Sequence, residues 1–147
     1  VVYLVSSCLA GIRCRYDGKE CAHPQVVKLV MEGKALPVCP EVLGGLAIPR
    51  DRAEIVKNNG SLQVVTENGA DVTKEYLTGA DRAASIAQAA GVEKAILKSK
   101  SPSCASRIIY DGSFSNKLIP GQGLTALALQ EKGILVLSEE DLGIEEG

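Results

Sequence analysis

The chain has 147 residues and a formal net charge of -2, with 46% hydrophobic and 23% charged residues. That is one domain's worth of material with enough apolar matter for a core, which excludes intrinsic disorder, and it carries no basic field to attract nucleic acid or anionic lipid. No apolar run approaches a membrane span and the opening segment reads as a strand, not a leader, so the expected address is cytoplasmic.

Val1 to Val5 is a continuous apolar run that stops at Ser6-Ser7, the pattern of a buried strand. A turn-rich stretch from Gly11 to Gly18 follows, holding Arg13, Arg15 and Asp17. Pro24 is acceptable in the first turn of a helix whose apolar face is Val26, Val27, Leu29 and Val30, and Gly33 stops it. Ala35 to Val38 is a second short strand, although Pro37 weighs against a regular ladder there. Between Gly44 and Asn59 the composition turns to loop. Two short β segments, Glu54 to Val56 and Leu62 to Val65, are expected around an Asn58-Asn59-Gly60 turn.

The strongest helical periodicity runs from about Asp71 to Ala90, with Val72, Tyr76, Ala80, Ala83, Ala87 and Ala90 recurring at three and four. Asp71 or Thr73 is placed to cap it, and Gly91 ends it. Ala95 to Leu97 is a third buried strand, and Ile108 to Tyr110 with Asp111-Gly112 reads as a small hairpin arm. Gly121-Gln122-Gly123 opens a last helix through Glu131, before a fourth strand from Ile134 to Leu137. Alternating strands and helices predict an α/β fold: residues 1–147 as a single Rossmann-like three-layer domain with a mainly parallel sheet.

Five cysteines are an odd number, and a chain of this size needs no bridges. They are buried hydrophobes, metal ligands or nucleophiles. Cys8 lies just past the first strand, Cys39 directly follows the second, and Cys104 lies in the loop after the third. Open α/β sheets bind ligands in the crevice at the carboxyl ends of their strands, so these three are expected to converge. Cys14 and Cys21 lack that anchoring and are expected to stand apart. No C-x-x-C pair occurs, which excludes a zinc ribbon and a thioredoxin-type motif. Three thiolates suit zinc, or three corners of an iron-sulfur cluster, and either leaves one metal position without a protein ligand.

Glu41 follows Cys39 by two residues, near enough to move protons at anything the cysteine binds, and Ser101 precedes Pro102 where it can shape the turn or position an oxygen. No G-x-S-x-G elbow is present, and the one imidazole, His23, is expected at the surface. Gly44-Gly45 with Pro49-Arg50 is a loop able to bring Arg50 to a carbonyl or anionic group. Arg15 belongs to a second polar cluster. Gly121-Gln122-Gly123 has part of a phosphate-binding pattern and completes none.

The segments Ser7-Cys8-Leu9-Ala10-Gly11 with Cys14-Arg15-Tyr16-Asp17-Gly18, Cys39-Pro40-Glu41-Val42-Leu43-Gly44-Gly45-Leu46 with Pro49-Arg50, and Ser101-Pro102-Ser103-Cys104 with Tyr110-Asp111-Gly112 resemble the thiouracil desulfidase family. The resemblance extends through Gly133-Ile134 and Ser138-Glu139-Glu140. It implies a 4Fe-4S cluster on Cys8, Cys39 and Cys104, with Glu41 and Ser101 as the catalytic pair; Arg15, Arg50 and Ser103 are the residues expected to contact the substrate. The implied reaction is non-redox: the sulfur of a thiolated base such as thiouracil binds the open iron and water replaces it. Cys14 fits the family pattern without being assigned as a ligand, and Cys21 matches nothing in it. Ala105 departs from the family's usual glycine, and its methyl is expected to narrow the pocket. A sulfurtransferase passing sulfide to an acceptor and a non-catalytic three-cysteine metal protein are the alternatives. The implied partner is a small thiolated base, with neither membrane nor strong nucleic-acid footprint.

Overall fold

A computed structural model describes residues 1–58 and 60–142. Its centre is a four-stranded parallel sheet made of β1 (Tyr3–Ser6), β2 (Ala35–Val38), β5 (Lys94–Leu97) and β8 (Leu135–Ser138), in the order β2-β1-β5-β8. Alternate residues of each strand face opposite layers, as the pleat requires. Leu4, Ala95, Leu97 and Val136 point into one core with Ala84, Ala87, Ala126 and Leu129. Those partners come from α3 (Thr73–Ala89) and α4 (Leu124–Glu131). Val5 and Ile96 point the other way, toward Val26 of α1 (Pro24–Met31) and Leu142 of α5 (Glu139–Leu142). Two helical layers around a parallel sheet give the Rossmann-like arrangement that the alternating pattern predicts. Leu129 is fully buried in the first core, where truncation to Ala typically costs about 2–5 kcal/mol.

Pro37 is accommodated because β2 is an edge strand: it pairs only with β1, with Pro37 opposite Val5, so its missing N–H deprives no second neighbour. The two short β segments extend to β3 (Ala53–Asn58) and β4 (Ser61–Thr66), an antiparallel pair. Of the expected Asn58-Asn59-Gly60 turn, Asn59 lies outside the described residues. The hairpin arm is real and has a partner that apolar periodicity did not mark: β6 (Ile108–Tyr110) pairs with β7 (Leu118–Pro120). Both hairpins share a third core, in which Ile55, Val64 and Ile109 pack with Tyr76, Ala80 and Leu124.

The long helix begins without the expected side-chain cap. Val72 occupies the cap position, and Asp71 instead accepts the Thr73 N–H at 2.9 Å, an Asx-type turn just ahead of it. A short helix unmarked in the apolar pattern, α2 (Pro40–Leu43), rests on α3 by backbone contact. A Cβ on Gly44 would lie 1.9 Å from the Glu75 carbonyl oxygen, and one on Gly79 would lie 1.9 Å from that of Pro40. Glycine at both positions lets the two backbones touch.

Candidate functional site

The sheet order places the topological switch between β1 and β5: the chain leaves β1 toward β2 on one side and β5 toward β8 on the other. A cavity of about 390 Å³ opens beyond the carboxyl ends of these strands, within the range of small-molecule sites. Cys8, Cys39 and Cys104 all line it, each arriving by a different link. Cys8 stands in a 3-10 turn, Ser7–Ala10, directly after β1. Cys39 is the residue between β2 and α2; it occupies the helix cap position, yet its thiol makes no cap hydrogen bond and faces the cavity. Cys104 is held in the loop after β5, where the Ser101 carbonyl accepts the N–H of Ala105 at 3.0 Å.

Several of the expected placements need correction. Cys14 does not stand apart: it is buried, lines the same cavity, and its thiol contacts those of Cys8 and Cys39. The backbone folds it inward, with the Ile12 N–H on the Ser7 carbonyl and the Cys14 N–H on the Ile12 carbonyl. Cys21 lies against Cys8, its N–H bonded to the Cys8 carbonyl at 3.0 Å, but it does not line the cavity. Ser103 is the second correction. It is 1% exposed, it shares a 2.7 Å hydrogen bond with Thr125 of α4, and it is absent from the cavity wall. The methyl of Ala105 likewise faces the third core with Ile109 and Leu124, not the cavity. His23, expected at the surface, is half-buried at the start of α1.

Gly123 explains part of the Gly121-Gln122-Gly123 run. A Cβ there would lie 2.3 Å from the Ser103 carbonyl carbon and oxygen, so this glycine lets α4 close onto the cysteine-bearing loop rather than cradling phosphate.

Glu41, in the first turn of α2, reaches the cavity paired with Arg50: Arg50 Nη2 donates to Glu41 Oε2 at 2.9 Å, and the two side chains are 8% and 16% exposed. Burial raises the Glu41 pKa, and the Arg50 charge opposes that rise without cancelling it. Arg50 is fixed in turn by donating Nη1 to the Ala47 carbonyl and its backbone N–H to Tyr16. Ser101 Oγ accepts the N–H groups of Ser103 and Cys104, both at 3.0 Å, so its own O–H acts as a donor on the cavity wall, within reach of the Cys104 thiol.

Several cavity residues carry no signal in the apolar periodicity or the cysteine spacing. Ser6 accepts the Lys98 N–H at 2.9 Å, which turns its O–H toward Cys104 Sγ, 3.4 Å away. Tyr76 reads as one more apolar position of α3, yet it reaches the cavity. Arg52, Tyr110 and Asn116 form a further wall, delivered by the hairpins. Only Tyr110 stood in a recognisable motif, without a role.

Cys8, Cys39 and Cys104 hold their protons, whereas contact with Cys39 and Cys8 lowers the Cys14 pKa and contact with Cys8 lowers that of Cys21. Contact with Cys14, contact with Cys21 and burial raise the Cys8 pKa, and contact with Cys14 and burial raise that of Cys39. Burial and the Glu41 charge push Cys104 up to about 12 against the hydroxyls of Ser6, Ser103 and Ser101. Thiols crowded in this way ionise together when a cationic centre arrives, because a coordinating thiol is deprotonated outright. Among the described residues, no group of three or more Cys, His, Asp or Glu is gathered to hold a single metal ion. In an iron-sulfur cluster each thiolate takes its own iron, so the thiols belong around a cavity rather than at one point. Soft donors on three loops around one cavity fit that group. Among the same residues, no helix is long and apolar enough to cross a membrane.

Comparison with known proteins gives three matches. A family model described as 2-thiouracil desulfurase matches residues 3–141. The uncharacterized protein YbbK of Bacillus subtilis (strain 168) is 46% identical over 145 residues, 95% of this chain and 96% of the relative. A solved structure of the 4Fe-4S-dependent thiouracil desulfidase TudS superposes with a TM-score of 0.88 at 43% identity, covering 97% of this chain and 93% of its own.

Proposed function

The chain belongs to the 2-thiouracil desulfurase family, and on that premise we propose that it acts as one desulfidase domain, replacing the sulfur of a thiolated nucleobase such as thiouracil with oxygen from water. The observation that carries this reading is the approach of Cys8, Cys39 and Cys104 to one cavity from three strand ends, with the Glu41 carboxylate on the same wall. These three cysteines would hold a 4Fe-4S cluster. Bound there, the cluster would supply a soft Lewis-acid position for a thiocarbonyl sulfur, which polarises the carbon and stabilises departing sulfide.

The chain's own side chains supply the rest. Glu41 takes the proton from the attacking water, and its raised pKa makes it the stronger acceptor. Arg50 favours the charged form of that carboxylate and aims it. Ser101 acts only as a donor, since its oxygen already accepts two backbone N–H groups; its O–H orients the water or a ring heteroatom. The Ser6 hydroxyl supports charge on Cys104 Sγ. Thiouracil and water give uracil and hydrogen sulfide, and no electron is gained or lost.

The test is anaerobic reconstitution with iron and sulfide, followed by turnover of 4-thiouracil. Uracil and free hydrosulfide are expected in equal amounts with no acceptor added. Turnover that requires a thiol acceptor would favour the sulfurtransferase reading. A fully loaded protein inert toward a panel of thiolated bases would overturn the proposal.

A further inference from the structure

Glu54 is a carboxylate only 1% exposed, placed on β3 outside the thiol-bearing loops. Its oxygens are fully engaged. Oε2 accepts from Arg52 Nη2 at 2.9 Å, and Oε1 accepts the N–H groups of Gly112 at 3.0 Å and Phe114 at 3.1 Å. One buried group therefore ties three things together: β3, the Arg52 guanidinium, and the loop between β6 and β7. Gly112 approaches so closely that a Cβ would lie 2.8 Å from the Ile55 carbonyl oxygen, and Phe114 and Asn116 both adopt positive φ, 57° and 63°. Two non-glycine residues in that region need a surrounding structure that over-determines them, and the Glu54 bonds are part of it.

What the tie presents to the cavity is a recognition surface. The Arg52 guanidinium lies over the Tyr110 ring, 4.6 Å from its centroid, and both residues line the cavity together with Asn116. Among the described residues, only Nη2 of Arg52 finds a hydrogen-bond acceptor, which leaves its remaining N–H groups for a ligand. A stacked guanidinium and phenol at the end of a thiol-lined cavity match a flat heteroaromatic ring bearing carbonyl oxygens. The ring face lies on the π surface, its carbonyl takes the guanidinium N–H, and the Asn116 amide can read a ring N–H.

We propose that Glu54 is the positioning residue of a base-recognition wall formed by Arg52, Tyr110 and Asn116, and that this wall sets affinity for the pyrimidine ring while the thiol side performs the chemistry. The inference rests on the desulfidase reading of the same cavity.

Glu54→Gln is the sharpest test. The amide oxygen still accepts from Gly112 and Phe114, but an amide NH2 then faces Arg52, donor against donor, and the guanidinium is released. Tyr110→Leu removes the stacking surface without touching a buried charge and guards against misfolding of the first variant. Each is compared with the parent as holoprotein for iron content, kcat and KM with 4-thiouracil, and for equilibrium binding of uracil, which needs no turnover. The expected result is a roughly tenfold rise in KM and in the uracil Kd for both variants, with kcat within about twofold and iron unchanged, as loss of one charge-assisted hydrogen bond or one stacked ring implies. Parental KM and Kd in both variants would overturn the wall. So would a matched fall in iron and kcat, which would make Glu54 a support of the cluster loops. A parent that binds uracil but does not turn over 4-thiouracil breaks the desulfidase reading and leaves the wall measurable through Kd. A parent that does neither overturns both.

Discussion

Cys8 and Cys39 reach the cavity within two residues of a strand end, and Cys104 lies in the loop that follows β5. Arg52, Tyr110 and Asn116 reach the same cavity from two antiparallel pairs that share no ladder with the central sheet. On the sheet side, the supports are chiefly backbone, with Ser101 and Glu139 as side-chain additions: parallel ladders, the glycine contact between α2 and α3, and the closure of Gly123 onto Ser103 and Cys104. On the hairpin side, the principal support is one buried side chain, Glu54. The contrast teaches a division of labour. A rigid frame is spent on groups that must keep near-fixed separations, whereas a side-chain tie is enough for a surface that receives a ring.

That division can be broken most severely at the thiols. Cys8→Ala, Cys39→Ala and Cys104→Ala are each expected to reduce bound iron and sulfide to background and to abolish turnover, measured after identical anaerobic reconstitution. Cys21→Ala is expected to keep the iron, since it does not line the cavity. Cys14→Ala is the informative contrast, because Cys14 touches both Cys8 and Cys39; retention of iron keeps it a neighbour of the ligands. Uniform loss across all five would mean general destabilisation.

Next in size is Glu41→Gln, which keeps shape and hydrogen bonding but removes the titratable group. Turnover is expected to fall about a hundred- to ten-thousand-fold with full iron and little change in KM. A kcat near the parent's would return Glu41 to a structural partner of Arg50. The hairpin wall should show the opposite split, with KM moving and kcat holding.

A third variant attacks the frame without changing a polar side chain. Gly79→Ala drives a Cβ to within 1.9 Å of the Pro40 carbonyl oxygen, so α2 must shift and carry Glu41 with it. The expected cost is about 1–3 kcal/mol in stability from overpacking. A displacement on the order of 1 Å is also expected to lower kcat by roughly a hundredfold. Thermal unfolding and single-turnover rates measure the two effects separately. An unchanged rate with lowered stability would show that Glu41 is held by Arg50 and not by the seat of α2.

The sheet-side residues were the legible ones, because a strand end is a local fact: an apolar run stops and the next residue is exposed to the crevice. Cys8, Cys39, Cys104, Glu41 and Ser101 could be drawn together on that basis and on the resemblance. Cys14 was misplaced because its position depends on a loop folding back over a 3-10 turn, through backbone bonds that no periodicity records. Ser103 stands behind the cavity wall for a similar reason: within a turn, one residue's step decides between the cavity and Thr125. Glu54 read only as a strand residue. Its acceptors' partners lie 58 and 60 residues further on, and such pairing has no local signature.

The smallest expected effect concerns the last tie on the sheet side, Glu139. Its Oε2 accepts from Lys98 Nζ at 2.9 Å and from Ser99 Oγ at 3.0 Å, and its Oε1 accepts the Ser99 N–H at 2.8 Å, joining α5 to the start of the loop that carries Cys104. Burial works against the charge of Glu139, but the Lys98 and Ser99 hydrogen bonds outweigh it and hold the carboxyl below its ordinary value. A depressed carboxylate contributes stability that is full above the unfolded pKa, about 4.3, and is lost as pH falls through the lower folded value. Glu139→Gln should therefore cost about 1–2 kcal/mol near neutral pH, a shift of several degrees in Tm for a chain of this size. The difference between parent and variant should stay level from neutral down to about pH 5 and shrink below it. A gap that persists undiminished at about pH 3 would assign the loss to packing of α5 instead of to the charge. Iron content should stay at the parent level throughout, since Ser101 and the closure of α4 still hold the Cys104 loop.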